Sequence, residues 1–385
     1  MKLLLLFFIC VFIATFFAWK MGYSLEERSL SNPLSISSEK KLIPKTTSSK
    51  KVYGFVPYWL GSKATFQPEL TDWAYFSLTI DSDGTLVKTK TPDYAFFNKS
   101  FSTLYQDAQS KNIKTDITFA QFEKEKVLAF LSSTTAQRQF FIELESIMNQ
   151  YSIQGINIDF EVTGDVTDEQ RTQFTEFIKR TNIWLDGHDK NLTLAIDVYP
   201  SSIERTTLWD IPALHEPVDY IVVMTYDFHR ASSNNAGPIS PLLNTGTKEK
   251  EKNITYYLAK FVKVVPKEKI LLGIPFYGYE WETTDPFPRS FTLPRTGSTA
   301  SIERINTLLL DSSSIIQHFW EDDTLSPFLY VQKEDKHFMI SYENAQSLKY
   351  KLDLVQQLDI GGIAIWALGY EGESRELWNV IRDEL

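Results

Sequence analysis

Eight short runs of β-branched and aromatic residues recur along the chain after residue 50, and segments with helical periodicity separate several of them. Alternating strands and helices predict an α/β fold with parallel strands joined by crossover helices. Eight such units in the remaining ~330 residues favour a closed (β/α)8 TIM barrel, and the alternative is a doubly wound open sheet. The predicted strands are 52–58, 73–80, 113–119, 155–161, 192–199, 219–226, 269–277 and 361–367.

Helical periodicity is clear over 168–185, where the apolar residues fall on one stripe. Thr167 precedes the segment as an expected N-cap, and Gln170 lies three residues further on. This spacing predicts a capping box at the start of the helix.

The region 282–359 is too long to be a single helix between strands seven and eight. It contains strand-like pieces at 316–320, 327–332 and 337–342, followed by a helix near 343–358. We therefore expect a small α+β insertion. Because it follows strand seven, it would lie at the carboxyl end of the barrel, where it could form one wall of a cleft.

The first fifty residues predict export. Residues 3–19 are an uninterrupted apolar run flanked by lysines, so 1–20 is a signal peptide or an uncleaved signal-anchor. No small-residue cleavage site follows the run, which favours a membrane anchor and an extracytoplasmic location, although the run is shorter than the ~20 residues of a typical span. Segment 21–50 is rich in Ser, Lys and Pro and is expected to be a flexible linker to a folded domain at 51–385.

Composition limits the classes of partner. The net charge is −10, and the sequence has no cluster of Lys and Arg residues that would form a basic patch. Both observations argue against nucleic-acid binding. Cys10, the one cysteine, lies in the apolar leader, so the folded domain has no disulfide. Aromatic residues make up 14% of the chain, which suits a groove for sugar rings.

Strand four carries the strongest chemical pattern. In 154–161 (Gln-Gly-Ile-Asn-Ile-Asp-Phe-Glu), alternation directs Asn157, Asp159 and Glu161 into the barrel lumen. Asp159 and Glu161 are ~6–7 Å apart along the strand, close enough for each to raise the pKa of the other. A shared proton would keep Glu161 protonated near neutral pH, ready to act as a general acid. The alternatives are a structural hydrogen-bond network and a divalent cation held by Asp159, Glu161 and Asp227.

The segment resembles the catalytic signature D-G-x-D-x-D-x-E of family 18 glycoside hydrolases (chitinase-like), which Gly155, Asp159 and Glu161 match in order. Gln154 and Asn157 stand where the family has the first and middle Asp. The string GINIDFE resembles the branch that contains spore-cortex and cell-wall N-acetylglucosaminidases. With Asn157 in the middle place, Asp159 is expected to have no second carboxylate deeper in the barrel to which it could pass a proton. The pairing of Asp159 with Glu161 then has to raise the pKa of Glu161 by itself.

Four further segments resemble family motifs, in the family's order. They are 54–59 on strand one, 224–227 (Met-Thr-Tyr-Asp) on strand six, 273–281 on strand seven and 361–366 on strand eight. The family's S-x-G-G of strand three is absent, and 117–120 (Ile-Thr-Phe-Ala) stands in its place.

The resemblance implies roles for individual residues. Glu161 is the expected proton donor and later the base, with the substrate's own acetamido group as nucleophile and retention of the anomeric configuration. Asp159 and Tyr226 are expected to orient the acetamido group, and Asn157 belongs to the same catalytic set. The expected substrate contacts are Trp366, Asp227, Tyr277, Phe55, Trp59 and Tyr58. No cofactor or metal is implied.

Several functions are compatible with these residues. The first is hydrolysis of β-1,4 bonds next to N-acetylglucosamine in peptidoglycan by a monomeric enzyme. The second is the same reaction on chitin. The third is a chitinase-like sugar-binding protein that has lost turnover, although such proteins usually lose the acid, which is present here as Glu161. A metal-dependent hydrolase is a further alternative.

Overall fold

Eight parallel strands close into a barrel in the computed structural model of the chain. A single compact unit comprises Lys50–Leu385. The structure describes residues 50–385 apart from 89–95, 97–99, 190, 206, 245–251 and 313. The expected leader and all but the last residue of the expected linker lie outside the described residues. No helix in the described part of the chain is long and apolar enough to span a membrane.

Strands and helices of the described residues are numbered here in chain order. The strands are β1 (Lys51–Pro57), β2 (Asp72–Thr79), β3 (Lys114–Gln121), β4 (Gly155–Phe160), β5 (Thr193–Val198), β6 (Tyr220–Val223), β7 (Ile270–Pro275), β8 (Tyr277–Thr283), β9 (Ser298–Ser301), β10 (Ile315–Glu321), β11 (Ser326–Lys333), β12 (Lys336–Ser341) and β13 (Gly362–Trp366). The helices are α1 (Ser100–Ser110), α2 (Lys124–Ser132), α3 (Thr134–Gln150), α4 (Asp168–His188), α5 (Ile211–Leu214), α6 (Ile254–Phe261), α7 (Ile302–Leu309), α8 (Ala345–Leu358) and α9 (Glu376–Glu384).

The predicted (β/α)8 barrel is confirmed. The closed order is β1-β13-β7-β6-β5-β4-β3-β2, every neighbouring pair is parallel, and each of the eight predicted strands overlaps one barrel strand. β4 is buried at all of its positions, as expected where helices cover one face and a filled lumen covers the other. The capping box of α4 is also present, because Thr167 and Gln170 bond reciprocally. One unit departs from the pattern, since a 3-10 turn at Tyr58–Leu60 replaces a helix between β1 and β2.

The predicted insertion is an antiparallel sheet of order β10-β11-β12-β8-β9, with α7 beside it in sequence. It begins earlier than expected, at Tyr277 rather than near 282, because the strand predicted over 269–277 is two strands that break after Pro275. The expected helix near 343–358 is α8, which packs against α9 of the barrel and is not part of the inserted sheet.

The barrel lumen has an aromatic half and an acidic half. The apolar cluster of the lumen comes from β1, β2, β6, β7 and β13 and consists of Tyr53, Phe55, Ala74, Phe76, Val222, Leu271 and Ala364, with Trp366 packed against it. β3, β4 and β5 instead contribute the buried carboxyl groups of Asp116, Asp159 and Asp197. A molecule that enters from the carboxyl end of the strands therefore meets acids on one side and aromatic rings on the other.

Candidate active site

A cavity of about 320 Å³ opens at the carboxyl ends of the barrel strands. Eight of the ten residues expected from the sequence line it: Glu161, Asp159, Tyr226, Trp366, Asp227, Tyr277, Phe55 and Trp59. The inserted sheet contributes to the wall through β8 and β9, as its place after strand seven predicts.

Two expected residues do not line the cavity. Tyr58 is half-buried against the core, with its ring 4.9 Å from that of Trp59. Asn157 is fully buried, and its side-chain Nδ2 donates to Asp197 Oδ1 at 2.9 Å. Tyr58 therefore supports Trp59 instead of meeting a ligand in the cavity, and Asn157 acts through a neighbouring carboxyl.

Glu161 follows the last residue of β4 and stands at the rim of the barrel, partly exposed to the cavity. Its Oε2 accepts a hydrogen bond from the Tyr199 hydroxyl. Burial raises the pKa of Glu161 and is the largest influence on it; the Tyr199 hydrogen bond and the Arg230 charge lower it, and the Asp227 charge raises it. The sequence predicts that Asp159 raises this pKa, whereas loss of hydration is the largest cause and the charge that adds to it is that of Asp227.

Asp159 lies two residues before Glu161 and is buried, with one carboxyl oxygen, Oδ1, lacking a hydrogen-bond partner. Its pKa is raised well above the usual range by burial, then by the charges of Glu161 and Asp197. The sequence predicts no second carboxyl group further in than Asp159, but the charge of Asp197 acts on it. Asp197 lies on the neighbouring strand β5. Neighbouring strands of a barrel direct side chains into the same part of the lumen, so an acid on β5 can lie as near to Asp159 as an acid on β4.

Tyr226 and Asp227 follow the short strand β6, which ends three residues earlier than the sequence predicts. Burial, together with the charges of Asp197, Asp159 and Glu161, raises the pKa of Tyr226, so its hydroxyl remains a donor. A Cβ on Gly273 would lie 2.9 Å from Tyr226 Cε1. The glycine of the strand-seven motif thus makes room for this ring.

The insertion orients Asp227. The Tyr277 hydroxyl donates to Asp227 Oδ1, and the Tyr279 hydroxyl donates to the same atom at 3.0 Å. Arg230 Nε lies 3.7 Å from Asp227 Oδ2. The backbone of Asp227 has φ of 59°, in the left-handed region that Asp tolerates better than most residues. Asp227 is therefore held from β8 at the mouth of the cavity.

Aromatic rings form the floor of the cavity around Trp366. The Trp366 ring centroid lies 4.5 Å from that of Phe76, 5.9 Å from Phe55 and 6.4 Å from Trp59. Trp59 is 47% exposed, so much of its ring is available to a ligand. Phe122, 51% exposed, stacks on Phe76 and extends the aromatic surface outward.

Nine lining residues were not anticipated: Asp197, Tyr199, Phe76, Phe122, Met224, Arg230, Tyr279, Thr299 and Tyr370. A signal for two of them is present in the sequence. In Leu194–Tyr199 (Leu-Ala-Ile-Asp-Val-Tyr), the alternation that identifies Glu161 on strand four also directs Asp197 and Tyr199 into the lumen. The positions of Phe122 and Thr299 depend on loop paths and the inserted sheet, for which no local pattern exists.

A metal centre finds no support in the geometry. Within the described ranges, no three His, Cys, Asp or Glu side chains are arranged to hold a metal ion, and this includes Asp159, Glu161 and Asp227. Asp227 is instead bonded to tyrosine hydroxyls.

An acidic side chain at the rim of a closed parallel barrel, facing an aromatic floor, is an arrangement that suits a glycoside hydrolase. The chain matches Glycosyl hydrolases family 18 over residues 48–371 and belongs to that family, as its motifs predict.

Several relatives of the chain are named as glycosylases or as lytic enzymes. An uncharacterized glycosylase of Bacillus subtilis, YvbX, is 28% identical over 71% of this chain and 76% of its own length. The Cortical fragment-lytic enzyme of the same organism is 24% identical over 78% of this chain and 65% of its own length. A putative sporulation-specific glycosylase, YdhD, is matched over 56% of its length. The chain thus spans less than two thirds of the latter two relatives.

Solved structures agree with the fold. The spore cortex-lytic enzyme SleL of Bacillus megaterium has a TM-score of 0.69 at 21% identity, covering 87% of this chain and 74% of SleL. A family 18 N-acetylglucosaminidase of Paenibacillus barengoltzii has a TM-score of 0.71 at 17% identity, covering 87% of this chain and all of the other. At such identities the likeness establishes the barrel alone.

Proposed function

We propose that this enzyme hydrolyses β-1,4 glycosidic bonds next to N-acetylglucosamine, with Glu161 as the proton donor and retention of configuration. The observation that carries the proposal is the environment of Glu161. Its carboxyl group faces the cavity, and burial raises its pKa, so that it stays protonated at higher pH than an exposed Glu. A general acid needs this combination of access and retained proton.

The remaining roles follow from the neighbours of Glu161. Family 18 enzymes use the substrate's acetamido oxygen in place of an enzyme nucleophile, which gives an oxazolinium ion. Asp159 would accept a hydrogen bond from the acetamido N–H, since its Oδ1 has no partner, and so stabilise the positive charge that develops. Tyr226, held as a protonated hydroxyl, would donate to the acetamido oxygen. Glu161, once ionised, would then remove a proton from the attacking water.

Sugar binding would rest on the aromatic floor and on Asp227. Trp366 would stack beneath the reacting sugar, next to Phe55, and Trp59 would contact a sugar further out. Asp227, fixed by Tyr277, would hold a sugar hydroxyl and favour a distorted ring.

Arg230 favours peptidoglycan over chitin as the substrate. It is the only Lys, Arg or His among the described residues that line the cavity, and its side chain is 56% exposed. Its nearest carboxylate contact, to Asp227, is made by Nε at 3.7 Å, which leaves the two terminal nitrogens of the guanidinium for a ligand. Peptidoglycan carries carboxylates on its muramic acid and peptide parts, whereas chitin is uncharged. A guanidinium in the cleft would pair with such a carboxylate.

An extracytoplasmic location fits this substrate, and the apolar run at 3–19 would provide export or anchoring. The proposed catalytic unit is a monomer, because one chain supplies every residue named above.

The test compares purified peptidoglycan with chitin oligomers, identifying the new reducing ends by mass spectrometry. We expect N-acetylglucosamine reducing ends from peptidoglycan, abolished in E161Q and unaffected by a chelator. Loss of activity on chelation would support a metal-dependent hydrolase, and binding without turnover in the wild type would support a sugar-binding protein.

The choice of substrate is tested by R230Q, with R382Q as the matched control on the exposed surface of α9. We expect R230Q to lose at least about tenfold in kcat/KM on peptidoglycan, corresponding to one charged hydrogen bond, and to change little on chitin oligomers. Equal losses on both polymers would assign Arg230 to orienting Asp227 and would remove the argument for peptidoglycan over chitin.

A further inference from the structure

Two buried carboxyl groups lie side by side beneath the site. In the β4–β5 pairing, Ile158 is opposite Ile196, so the next residues, Asp159 and Asp197, are neighbours on parallel strands and face the lumen together. Neighbouring strands are ~4.8 Å apart. Asp159 is 2% exposed and Asp197 is 3% exposed.

No cation compensates for this pair. Asp197 Oδ1 accepts the Asn157 amide at 2.9 Å, Asp159 Oδ1 has no partner, and no Lys, Arg or His of the described residues hydrogen-bonds to either carboxyl group. Two adjacent buried carboxylates cannot both ionise near neutral pH. Burial raises the pKa of both groups well above the usual range. One proton is therefore retained between them.

Several titratable groups surround the pair of Asp159 and Asp197. Glu161 and Tyr199 lie above it, Tyr226 faces it from the loop after β6, and Tyr53 faces Asp197 from β1. The charge of Asp227 acts on Glu161 and Tyr226. Asp116 lies deeper, bonded to Tyr53 at 2.9 Å. Arg230 acts on Glu161 and Tyr199 at the rim.

We propose that Asp197 is a positioning residue that takes the shared proton from Asp159 when the substrate binds. This inference rests on the proposed function, because the acetamido N–H is the group that needs an ionised oxygen on Asp159. The proton passes from a carboxyl oxygen of Asp159 to Oδ2 of Asp197, and the pair keeps one negative charge throughout. The Asn157 amide occupies Oδ1 of Asp197 and leaves Oδ2 for the proton. Asp197 thus fills, from the neighbouring strand, the place of a carboxyl group that Asn157 cannot provide.

The experiment measures kcat against pH for the wild type, D197N, the exchange variant N157D/D197N, and D116N as a control with the same substitution in the lumen. The substrate is the 4-methylumbelliferyl glycoside of N,N′-diacetylchitobiose. In D197N, Asp159 must lose its proton to solvent. We therefore expect kcat to fall about 100-fold, the acid limb of the profile to move to higher pH, and KM to change less than about threefold.

The exchange variant should recover most of kcat and the acid limb, because the carboxyl–amide pair is restored with its partners reversed. D116N should leave the acid limb in place. A merely structural role predicts near-normal D197N activity, since two facing amides still form a hydrogen bond. Wild-type behaviour of D197N would overturn the proposal, and so would an exchange variant as impaired as D197N.

A second measurement does not depend on activity. Carboxyl ¹³C spectra of protein labelled at Asp Cγ, assigned with D159N and D197N, should show that the pair keeps one proton through neutral pH. Two fully ionised carboxylates at pH 5 would overturn the proposal. If the wild type cleaves no N-acetylglucosaminyl substrate, the proposed function fails while these spectra still decide whether the proton is shared.

Discussion

Asp116→Asn should stabilise the folded protein at neutral and alkaline pH and leave its stability at acid pH nearly unchanged. Asp116 is buried in the lumen, with Oδ2 accepting the Tyr53 hydroxyl at 2.9 Å and Oδ1 unpartnered. Burial, followed by the charge of Asp72, raises the pKa of Asp116 from 3.8 to about 7. The acid dissociation constant of Asp116 thus falls about 1000-fold on folding, which corresponds to about 4 kcal/mol of stability lost when the group ionises.

Proton linkage determines at which pH the D116N substitution stabilises the protein. A carboxyl group whose pKa is raised by folding contributes its full stability below the unfolded-state pKa of 3.8, and this contribution is lost as the pH rises through about 7. The amide side chain of the D116N variant cannot ionise, so the variant escapes that loss. For the unit Lys50–Leu385, the entropy of unfolding is about 0.7 kcal/mol per kelvin, so the gain at pH 8.5 amounts to about 6 °C in Tm.

The assay is thermal unfolding of the wild type and D116N at pH 4, 5.5, 7 and 8.5, followed by circular dichroism. D383N, with an Asp side chain that is 63% exposed on α9, serves as the control and should show no pH-dependent gain. A Tm difference between D116N and wild type that stays constant from pH 4 to 8.5 would show that folding does not raise the pKa of Asp116.

Three further substitutions test the cleft. Y199F removes the hydroxyl that donates to Glu161 and lowers the pKa of Glu161. The alkaline limb of the pH profile should therefore move to higher pH, and kcat should drop about tenfold because the ionised Glu161 loses a hydrogen bond. G273A brings a Cβ to 2.9 Å from Tyr226 Cε1 and 2.6 Å from the Val223 carbonyl oxygen, so it should cost about 1–3 kcal/mol in a denaturant titration and reduce kcat through the displaced ring. W366A should reduce kcat/KM about tenfold or more by removing the floor, and an unchanged kcat/KM would exclude stacking there.

Much of the fold follows from local patterns in the sequence. The eight strands were predictable because strands buried on both faces are short, dense apolar runs, and β4 is such a run broken only by Asn157 and Asp159. The inserted sheet was partly predictable: β10, β11 and β12 coincide with strand-like pieces. The sequence predicts β7 and the start of β8 as one strand because Tyr277 continues the apolar run of β7, and only the tertiary structure turns the chain at Phe276.

The site was predictable where one strand carries the information. Glu161 and Asp159 stand out by alternation, and the same alternation on β5 points to Asp197 and Tyr199. What alternation cannot supply is register, because the pairing of Ile158 with Ile196 is a long-range property that decides which acids are neighbours. Arg230 lies in a loop, and no periodicity indicates that its guanidinium points into the cleft.

In the proposed mechanism, Glu161 gives its proton to the departing oxygen. The most direct measurement compares E161Q with the wild type in the first turnover of two N-acetylglucosaminides, one with a sugar leaving group and one with 2,4-dinitrophenolate, which departs without a proton. We expect a loss of about 1000-fold or more for the sugar substrate and less than about tenfold for release of dinitrophenolate. Equal losses for both substrates, or no loss for the sugar, would contradict this mechanism.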